Sequence, residues 1–368
     1  MSISESSKVD HQFYPSINEI YDDGMIISVI LDCFHQLEYV KQSVTSVLKQ
    51  DYNNVELMLI DNGASNDISK YLKEIHANHK NTSLIVYKEN QFDWDDFEKP
   101  LCICWNGGLK YCKGEIVSHL AYDDMFSKNY AGKMVKLFED NPNCVTAGPL
   151  PVSIDSSGDL NKAMDDGGKD FLESNKRPTY IEGRKVALDY IQGSPKRMFG
   201  APGEIFAIKK SLLLKYDGFE QGIDILQILK YAIHGDIGFD PEAYVYWRRH
   251  DSQMNVMLEK KGHINVRDFK RMIKRSNIIN IWKSHFSLSE VKLLEVYIKN
   301  QIRKNPLSMS RSMIANKNLY GLLLVFFHTA RECPEMLFKT ILHSISFSGR
   351  IVLHKLKLTN DPFKNKLK

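Results

Sequence analysis

Short apolar runs alternate with helically spaced apolar positions along the first third of the chain. Runs of strand length predict strands at 25–31, 55–60, 84–87 and 115–122. Between these runs, apolar residues recur at helical spacing at 37–49 and 67–76. Runs that are apolar almost throughout are typical of strands covered on both faces of a parallel sheet. The pattern therefore predicts an α/β fold with a mostly parallel sheet flanked by helices.

The pattern changes twice further along the chain. Residues 150–196 are rich in Gly, Asp, Ser and Lys, which predicts a long loop over the active face. Regular structure is expected again from 199, with a helix around 224–233 and a strand at 238–250. Beyond Lys260 the pattern is helical and basic. We therefore expect three parts, namely an N-terminal tail at 1–24, an α/β domain at 25–256 and a basic helical C-terminal domain at 257–368.

Charge is distributed unevenly along the 368 residues. The formal net charge is only +4, yet residues 260–368 hold 22 Lys and Arg against 6 Asp and Glu. The rest of the chain must then be net negative, so the basic end is expected to face an anionic partner. No nucleic-acid-binding motif accompanies the basic residues, and nucleic acid is not an expected partner.

The cysteines and the N-terminus indicate a cytoplasmic location. None of the six cysteines forms the CxxC pairs that structural zinc needs, and we expect reduced thiols. The first residues lack the basic start and apolar core of a signal peptide. No apolar run reaches the roughly 18–20 residues that cross a bilayer.

Carboxylates follow three of the predicted strands. Asp32 comes after the first, Asp61 after the second, and Asp123-Asp124 after the strand at 115–122. The carboxyl ends of parallel strands form one ligand-binding edge, so these side chains are expected to converge. Adjacent carboxylates suit Mg²⁺ or Mn²⁺ that carries substrate phosphates. The alternatives are a solvated Asp-Asp turn, and for Asp61-Asn62-Gly63 a simple turn.

The order of motifs resembles the family 2 glycosyltransferases of the GT-A fold. The resemblance covers roughly residues 25–256. The matching segments are Ile27–Gln36, Ser43–Tyr52, Glu56–Asp67, Asn106–Leu109 with Lys113–Glu115, Tyr122–Asp124 and Tyr246–Met254. They look like the family's first strand, its "SVLxQxY" helix end, "ELIVVDDGSTD", "RNxGL…ArGE", a DxD-type motif and "YRRHxxQMS".

The resemblance implies an inverting enzyme that transfers a sugar from a nucleotide diphosphate sugar, of the UDP type, to a hydroxyl acceptor. It implies donor contacts from Asp32, Asp61, Asp124, Arg248 and Arg249. It also implies Asp123 as the ligand of a Mn²⁺ or Mg²⁺ ion.

His250 is either a further metal ligand or a surface histidine. The general base of the family follows "GGF" in an "ED" pair, and Gly218-Phe219 here leads to Ile223-Asp224. Asp224 is therefore the expected base, with Glu220 and Asp236 as alternatives. An acid at the start of a helix is also favoured by the helix dipole alone.

Four positions depart from the family pattern. Asp32 replaces a proline, Ala121 replaces the first Asp of a full DxD, Ile223 stands where Glu is usual, and Trp105 stands where Arg is usual. Trp105 could stack on a sugar ring or pack in the core. The changes at Ala121, Ile223 and Trp105 support a second hypothesis, a catalytically inactive relative that binds a nucleotide sugar or glycan as a membrane-surface scaffold.

Apolar residues in the C-terminal part recur at helical spacing between basic residues. Such stripes suit helices that lie in an anionic membrane interface. The alternative is a helical subdomain that buries the stripes against itself or against a second subunit of a homodimer. We expect a peripheral enzyme at the inner face of the cell membrane that acts on a glycan or lipid-linked acceptor in bacterial surface polysaccharide synthesis.

Overall fold

The structure is a computed structural model. It describes residues 3–6, 8–93, 99–161, 179–193, 207–220, 223–253, 256–257 and 266–355. The chain divides into two compact units, Met1–Arg249 and His250–Lys368. The division lies a few residues before the boundary that the sequence predicts at 256.

The first unit is built on one mixed ten-stranded sheet. Its strands are β1 (His11–Tyr14), β2 (Ile27–Cys33), β3 (Val55–Asn62), β4 (Thr82–Tyr87), β5 (Ile116–Ala121), β6 (Met125–Phe126), β7 (Cys144–Ile154), β8 (Tyr180–Glu182), β9 (Ala207–Lys209) and β10 (Asp236–Arg248). The order is β1-β4-β3-β2-β5-β9-β7-β10-β6, with β8 beside β10. Strands β4, β3, β2 and β5 run parallel, as the apolar runs predict.

Helices cover the sheet and supply the core between layers. They are α1 (Ile3–Ser6), α2 (Leu37–Leu48), α3 (Asn66–Asn78), α4 (Lys99–Leu109), α5 (Tyr130–Asp140), α6 (Gly183–Ile191), α7 (Lys210–Lys215) and α8 (Ile223–Leu226). A π-helical turn, Gln227–Tyr231, continues α8. Val40, Val44 and Val47 of α2 are buried at helical spacing and pack in the cluster that holds Val29 and Leu31 of β2. The predicted α/β class is confirmed.

Two segments are more regular than the sequence indicates. Residues 11–14, within the expected tail, form β1 and pair antiparallel with β4. The expected loop at 150–196 contains the end of β7, then β8 and α6, while residues 162–178 lie outside the described part of the chain.

The second unit is helical where it is described. Its helices are α9 (Val266–Ser276), α10 (Ile278–His285), α11 (Leu288–Ala315), α12 (Leu319–Glu332) and α13 (Leu337–Lys355). A capping box starts α11, in which Ser287 and Glu290 bond each other's backbone N–H groups. Among the described residues, no helix is both long enough and apolar enough to cross a membrane.

Candidate active site

The sheet register brings the first and third predicted carboxylates to one edge. Asp32 of β2 pairs with Ala121, the last residue of β5, and Asp123 follows two residues later. The negative charge of Asp123 helps to raise the pKa of both Asp32 and Asp124. The carboxylates are therefore close enough to repel one another, which makes this edge attractive to a cation.

Asp32 lies at the base of the site and is only 7% exposed. Trp105 Nε1 donates to its Oδ1 at 3.2 Å. The Trp105 ring, itself buried, lies 4.1 Å from the ring of His119 between ring centroids. Trp105 thus packs in the core, which is the second of the two alternatives for this residue. Burial raises the pKa of Asp32 to about 6, with a further rise from Asp123 and an opposing effect of the Trp105 hydrogen bond.

We expect Asp32→Asn to stabilise the fold near neutral pH. The unfolded carboxyl has a pKa of about 3.9. Between about pH 3.9 and about pH 6 the carboxyl of residue 32 is ionised in the unfolded state but still protonated in the folded state. A rise in pH over this range therefore progressively favours unfolding. The full cost, about 3 kcal/mol, is present above pH 6, and the asparagine amide of the variant does not ionise. Thermal unfolding should show a gain in Tm at about pH 7.5 that disappears near pH 4.

The exposed Asp140 provides the control for this substitution. Its side chain is 50% exposed, so Asp140→Asn should leave the pH dependence of Tm unchanged. A gain for Asp32→Asn that is equal at both pH values would contradict the assigned cause.

The doublet that follows β5 places its two carboxylates in different environments. Asp123 is partly exposed, whereas Asp124 is 6% exposed. Asp124 Oδ1 accepts a hydrogen bond from the backbone N–H of Arg248 at 2.8 Å. Burial, and then the adjacent Asp123, raise the pKa of Asp124 well above its usual range, while Arg248 opposes the rise. Asp123 is therefore the accessible carboxylate, and Asp124 joins the doublet to β10.

Arg248 is fully buried at the end of β10. Its Nε donates to the backbone oxygen of Asp123 at 2.8 Å. Strand pairing explains the contact, because Tyr246 of β10 lies opposite Met125 of β6, directly after the doublet. Arg248 thus bonds both residues of the doublet, one through its side chain and one through its backbone.

The rest of the Arg248 guanidinium binds two other segments. Its Nη2 donates to Gln42 Oε1 of α2 at 2.5 Å. Its Nη1 donates to the backbone oxygens of Asp155 and Ser156 at 3.3 and 3.2 Å. The guanidinium carbon also lies 4.4 Å from the ring centroid of Tyr39. These contacts indicate that Arg248 positions the doublet and the 155–156 turn, a role that the motif resemblance does not suggest.

Arg249 and His250 continue the chain beyond Arg248. The Arg249 backbone N–H bonds Ile154 O at 2.8 Å, and its guanidinium carbon lies 4.0 Å from the Trp247 ring centroid. Arg249 is partly exposed and its charge helps to lower the pKa of Asp124. His250 begins the second unit, where its Nδ1 lies 2.9 Å from Ser252 Oγ.

Asp61 is part of a tightly built turn. The residue is 1% exposed; its Oδ1 accepts from Ala64 N at 2.9 Å and its Oδ2 from Ser69 Oγ at 2.5 Å. Gly63 has φ +59°, and a Cβ there would lie 2.3 Å from the backbone nitrogen of Asn90. These contacts favour the turn interpretation, and base recognition by Asp61 stays a prediction.

The three candidates for the base differ in their surroundings. Asp224 lies in α8, but its side chain is outside the described part of the chain. Glu220 Oε1 accepts from Lys230 Nζ at 2.6 Å, in a pair whose Lys side chain is 3% exposed. Asp236 begins β10 and bonds Asn141 at 2.9 Å. The doublet lies near the other end of that strand, roughly 30 Å away at about 3.3 Å per residue.

Sequence reasoning misses the partners of Arg248. Tyr39 lies in the first turn of α2 and Gln42 in its middle, and the motif resemblance gives neither of them a role. Neither residue carries a signal of its own, because polar residues are common on the exposed side of a helix. Only the long-range packing of β10 against α2 gives these residues a role.

The described residues contain no cluster of three His, Cys, Asp or Glu side chains that could hold a metal ion. An ion bound by the doublet would take one or two protein carboxylates and complete its shell with other oxygens. Magnesium is bound in this way in many phosphate-handling sites. The donor set of Asp123 and Asp124 fits such an ion.

Curated relatives of this chain are glycosyltransferases without a characterised activity. A Rickettsia bellii protein described as an uncharacterized glycosyltransferase is 26% identical over 168 residues, which are 46% of this chain and 22% of the relative. A Nostoc protein with the same description is 23% identical over 115 residues, 31% of this chain and 33% of the relative. The matches thus span about a quarter to a third of these relatives.

Solved structures of S. aureus TarS residues 1–349 have a similar fold. The complex with UDP aligns with a TM-score of 0.53 and 15% identity, and the complex with UDP-GlcNAc with 0.55 and 13%. Each alignment covers 92% of this chain and 93% of the other. At this identity the likeness shows the fold alone.

The sequence model of glycosyl transferase family 2 matches residues 28–193. This range contains β2, β3, β5 and the doublet, and the TarS fold extends the likeness over most of the chain. The resemblance drawn from the motifs is confirmed for this part of the chain: residues 28–193, somewhat under half of it, match glycosyl transferase family 2, and the fold is of the GT-A type.

Proposed function

We propose that this protein is an inverting, metal-dependent glycosyltransferase. It moves a sugar from a nucleotide diphosphate sugar to a hydroxyl of a glycan or lipid-linked acceptor, in bacterial surface polysaccharide synthesis. The observation that carries the proposal is the doublet Asp123-Asp124 at the carboxyl end of β5, within the family 2 match and bonded by Arg248.

The doublet is suited to a Mn²⁺ or Mg²⁺ ion carried by the donor. Asp123 would be the main ligand because its carboxylate is the more accessible one. Asp124, buried beside it, would bind ribose or a metal-bound water. Neutralisation of the departing diphosphate is the chemistry that the ion supplies when bound. His250 stays a predicted further ligand.

The donor proposal rests on the same edge of the sheet. TarS has been solved with UDP and with UDP-GlcNAc, which supports a UDP-type donor for this chain. We assign phosphate contact to Arg249 rather than to Arg248, because only Arg249 keeps an accessible guanidinium. Asp61 and Asp32 remain proposed donor contacts, for the base and for the inner wall of the site.

Inversion requires a base that takes the proton of the acceptor hydroxyl as the glycosidic bond forms and the bond to the diphosphate breaks. We assign this role to Asp224 in α8. The ion pair of Glu220 with Lys230 and the remote position of Asp236 favour Asp224 over both alternatives.

Arg248→Lys is expected to destabilise the protein and to weaken metal-assisted donor binding. Lysine keeps the charge but cannot bond four acceptors with a planar fork, so several of these acceptors lose their partner and the cation stays buried. We expect a loss of about 2–4 kcal/mol in unfolding free energy. Titration calorimetry should show a loss of UDP affinity, relative to wild type, that is larger in the presence of Mn²⁺ than in its absence.

Arg249→Lys is the matched control for this positioning role. It should weaken UDP binding equally with and without Mn²⁺ and leave the unfolding free energy nearly unchanged. If Arg248→Lys is as stable as wild type and only binds UDP less tightly, the guanidinium contacts phosphate and the positioning role is wrong.

Release of nucleoside diphosphate tests the proposed function. UDP-, GDP- and dTDP-sugars are offered with and without Mn²⁺, and donor-induced shifts in Tm are measured in parallel. Release that depends on Mn²⁺ supports the transferase. A donor-induced shift in Tm without release of nucleoside diphosphate favours the inactive scaffold, which the altered Ala121 and Ile223 support. Burial of Trp105 in the core removes one of the arguments for that alternative.

We propose that transfer takes place at the cytoplasmic face of the cell membrane. The proposal of a glycan or lipid-linked acceptor depends on this location. The basic excess of residues 260–368 supports it.

A further inference from the structure

Helix α12 is packed with its large apolar side chains outward. Its buried residues are Gly321, Val325 and Thr329. Its exposed residues include Leu319, Leu323 and Phe327, which are 70%, 58% and 59% exposed. A surface helix of a water-soluble domain normally buries its large apolar stripe and exposes the polar one. The orientation of α12 is therefore reversed.

Helix α13 shows a similar reversal in its first turns. Thr340 and Ser344 are buried, together with Phe347 further along the helix, whereas Phe338, Leu342 and Ile345 are 72%, 50% and 65% exposed. We name the six exposed residues Leu319, Leu323, Phe327, Phe338, Leu342 and Ile345 the outward apolar face. Exposed apolar surface on this scale marks an interaction site.

The buried hydroxyl groups on the inward sides of these helices have hydrogen-bond partners without water. Thr329 Oγ1 donates to Val325 O at 2.6 Å, Thr340 Oγ1 to Met336 O at 2.8 Å, and Ser344 Oγ to Thr340 O at 2.8 Å. Each hydroxyl is thus satisfied within its own helix or the turn that leads into it. Small residues at helix contacts, with large apolar residues facing away, are the arrangement of helices packed in lipid.

The close approach of α12 to α11 supports the interpretation that α12 packs as helices do in lipid. A Cβ at Gly321 would lie 2.3 Å from Met313 Sδ of α11, so a larger residue there would force the Met313 side chain to move. Since none of the described helices is long and apolar enough to cross a membrane, contact with lipid would be at the interface.

Positive charge accompanies the outward apolar face. Lys317, Arg331, Lys339 and Arg350 are exposed on or next to α12 and α13. Burial, and then the cations Arg311, Arg350 and Lys339, lower the pKa of His343 on α13, so a positive field exists at this helix. Glu332 and Glu335 are the acidic residues between 317 and 355, and Glu332 bonds Lys270.

The charge decides between the possible occupants. A second copy of the chain would bring an identical basic rim to an isologous interface, and like charges would repel. An anionic bilayer complements both features, because its headgroups attract the cations while its acyl boundary accepts the apolar side chains.

We propose that the outward apolar face of α12 and α13 seats this protein on an anionic phospholipid bilayer. The sequence leaves membrane contact and a twin subunit open, and the reversed packing of the two helices favours the membrane. Attachment does not depend on the transfer reaction, so it can be measured without donor.

The experiment is flotation of the full-length protein with two kinds of vesicle. One contains equal parts of phosphatidylglycerol and phosphatidylcholine, and the other contains phosphatidylcholine alone. We expect binding to the anionic vesicles that weakens, without vanishing, when salt is raised from about 0.1 M to 0.5 M.

Two double variants separate the contributions. Leu323→Ser with Phe327→Ser should lower the affinity for anionic vesicles at least about tenfold, because two apolar side chains no longer bury. Lys339→Glu with Arg350→Glu should lower it by a similar factor or more. The matched controls are Leu214→Ser on α7 and Lys70→Glu on α3, exposed residues of the first unit whose change should have no effect.

UDP titration and Tm show whether each variant is folded. Wild-type protein that binds UDP but ignores anionic vesicles overturns the membrane proposal and leaves the proposed function intact. The same conclusion follows if both double variants bind vesicles as wild type does. A vesicle-free dimer that Leu323→Ser with Phe327→Ser converts to monomer, measured by sedimentation, overturns it in favour of a second copy.

Discussion

Asp123→Ala is expected to abolish sugar transfer and the Mn²⁺ dependence of donor binding. Asp123 is the accessible carboxylate of the doublet, and Ala121 leaves no acid at the first position to take its place. Asp124 cannot substitute readily, because it is buried and bonds the Arg248 backbone. Nucleoside diphosphate release should fall by at least about 10³-fold, since several kcal/mol of charge stabilisation are lost. Calorimetry should give equal UDP affinity with and without Mn²⁺.

Asp140→Ala is the control, since this exposed acid lies in the same unit and pairs with Lys136 on its own helix. Its turnover should equal that of wild type. Asp123→Ala should also keep a near-normal Tm, because it removes a negative charge that repels Asp32 and Asp124. Retention of near-normal, Mn²⁺-dependent release in the variant would show that the metal assignment is wrong.

The central strands can be predicted from the sequence, but their ends cannot. The apolar runs at 25–31 and 55–60 become Ile27–Cys33 and Val55–Asn62. The pattern places Asp32 and Asp61 after their strands, because a charged residue normally faces water. Both instead lie within the last pairs of the sheet and are 7% and 1% exposed. Their partners, Trp105 and Ser69, lie far along the chain or across a turn, so a local pattern cannot reveal the burial.

For Arg248, the motif predicts the position of the arginine correctly but not all of what its side chain does. The motif places an arginine at the end of β10, where phosphate contact is the natural expectation for a planar fork of donors. Burial of the side chain follows from how β10, α2 and the 155–156 turn pack together. Sequence alone cannot distinguish Arg248 from its neighbour Arg249, although one is fully buried and the other is not.

Helical periodicity predicts the C-terminal helices but not the direction of their faces. A stripe of Leu and Phe is normally the inward face of a helix, and Gly321 or Thr329 would be expected outside. In the structure Gly321 instead lies against Met313 of α11, a long-range contact that no periodic pattern encodes.

Electrostatics connects the separate parts of the candidate site. Asp123 repels both Asp32 and Asp124, and burial of those two carboxylates adds to the cost of their ionisation. Arg248 offsets part of this cost through Asp124 and holds the doublet at the same time. A divalent cation would offset more of this cost, so we expect these carboxylates to favour a bound cation.

Asp224→Asn is expected to lower turnover by about 10²–10⁴-fold while donor affinity stays nearly unchanged, because a general base acts only in the transition state. Single-turnover transfer and UDP titration measure the two quantities separately. Asp236→Asn is the matched control, since Asp236 begins β10, far from the doublet, and should keep full turnover. Glu220→Gln is expected to lower Tm by removing the partner of buried Lys230, with less effect on turnover per folded molecule. Weak donor binding with intact turnover in Asp224→Asn would place this residue in a binding role and leave the base to be found elsewhere.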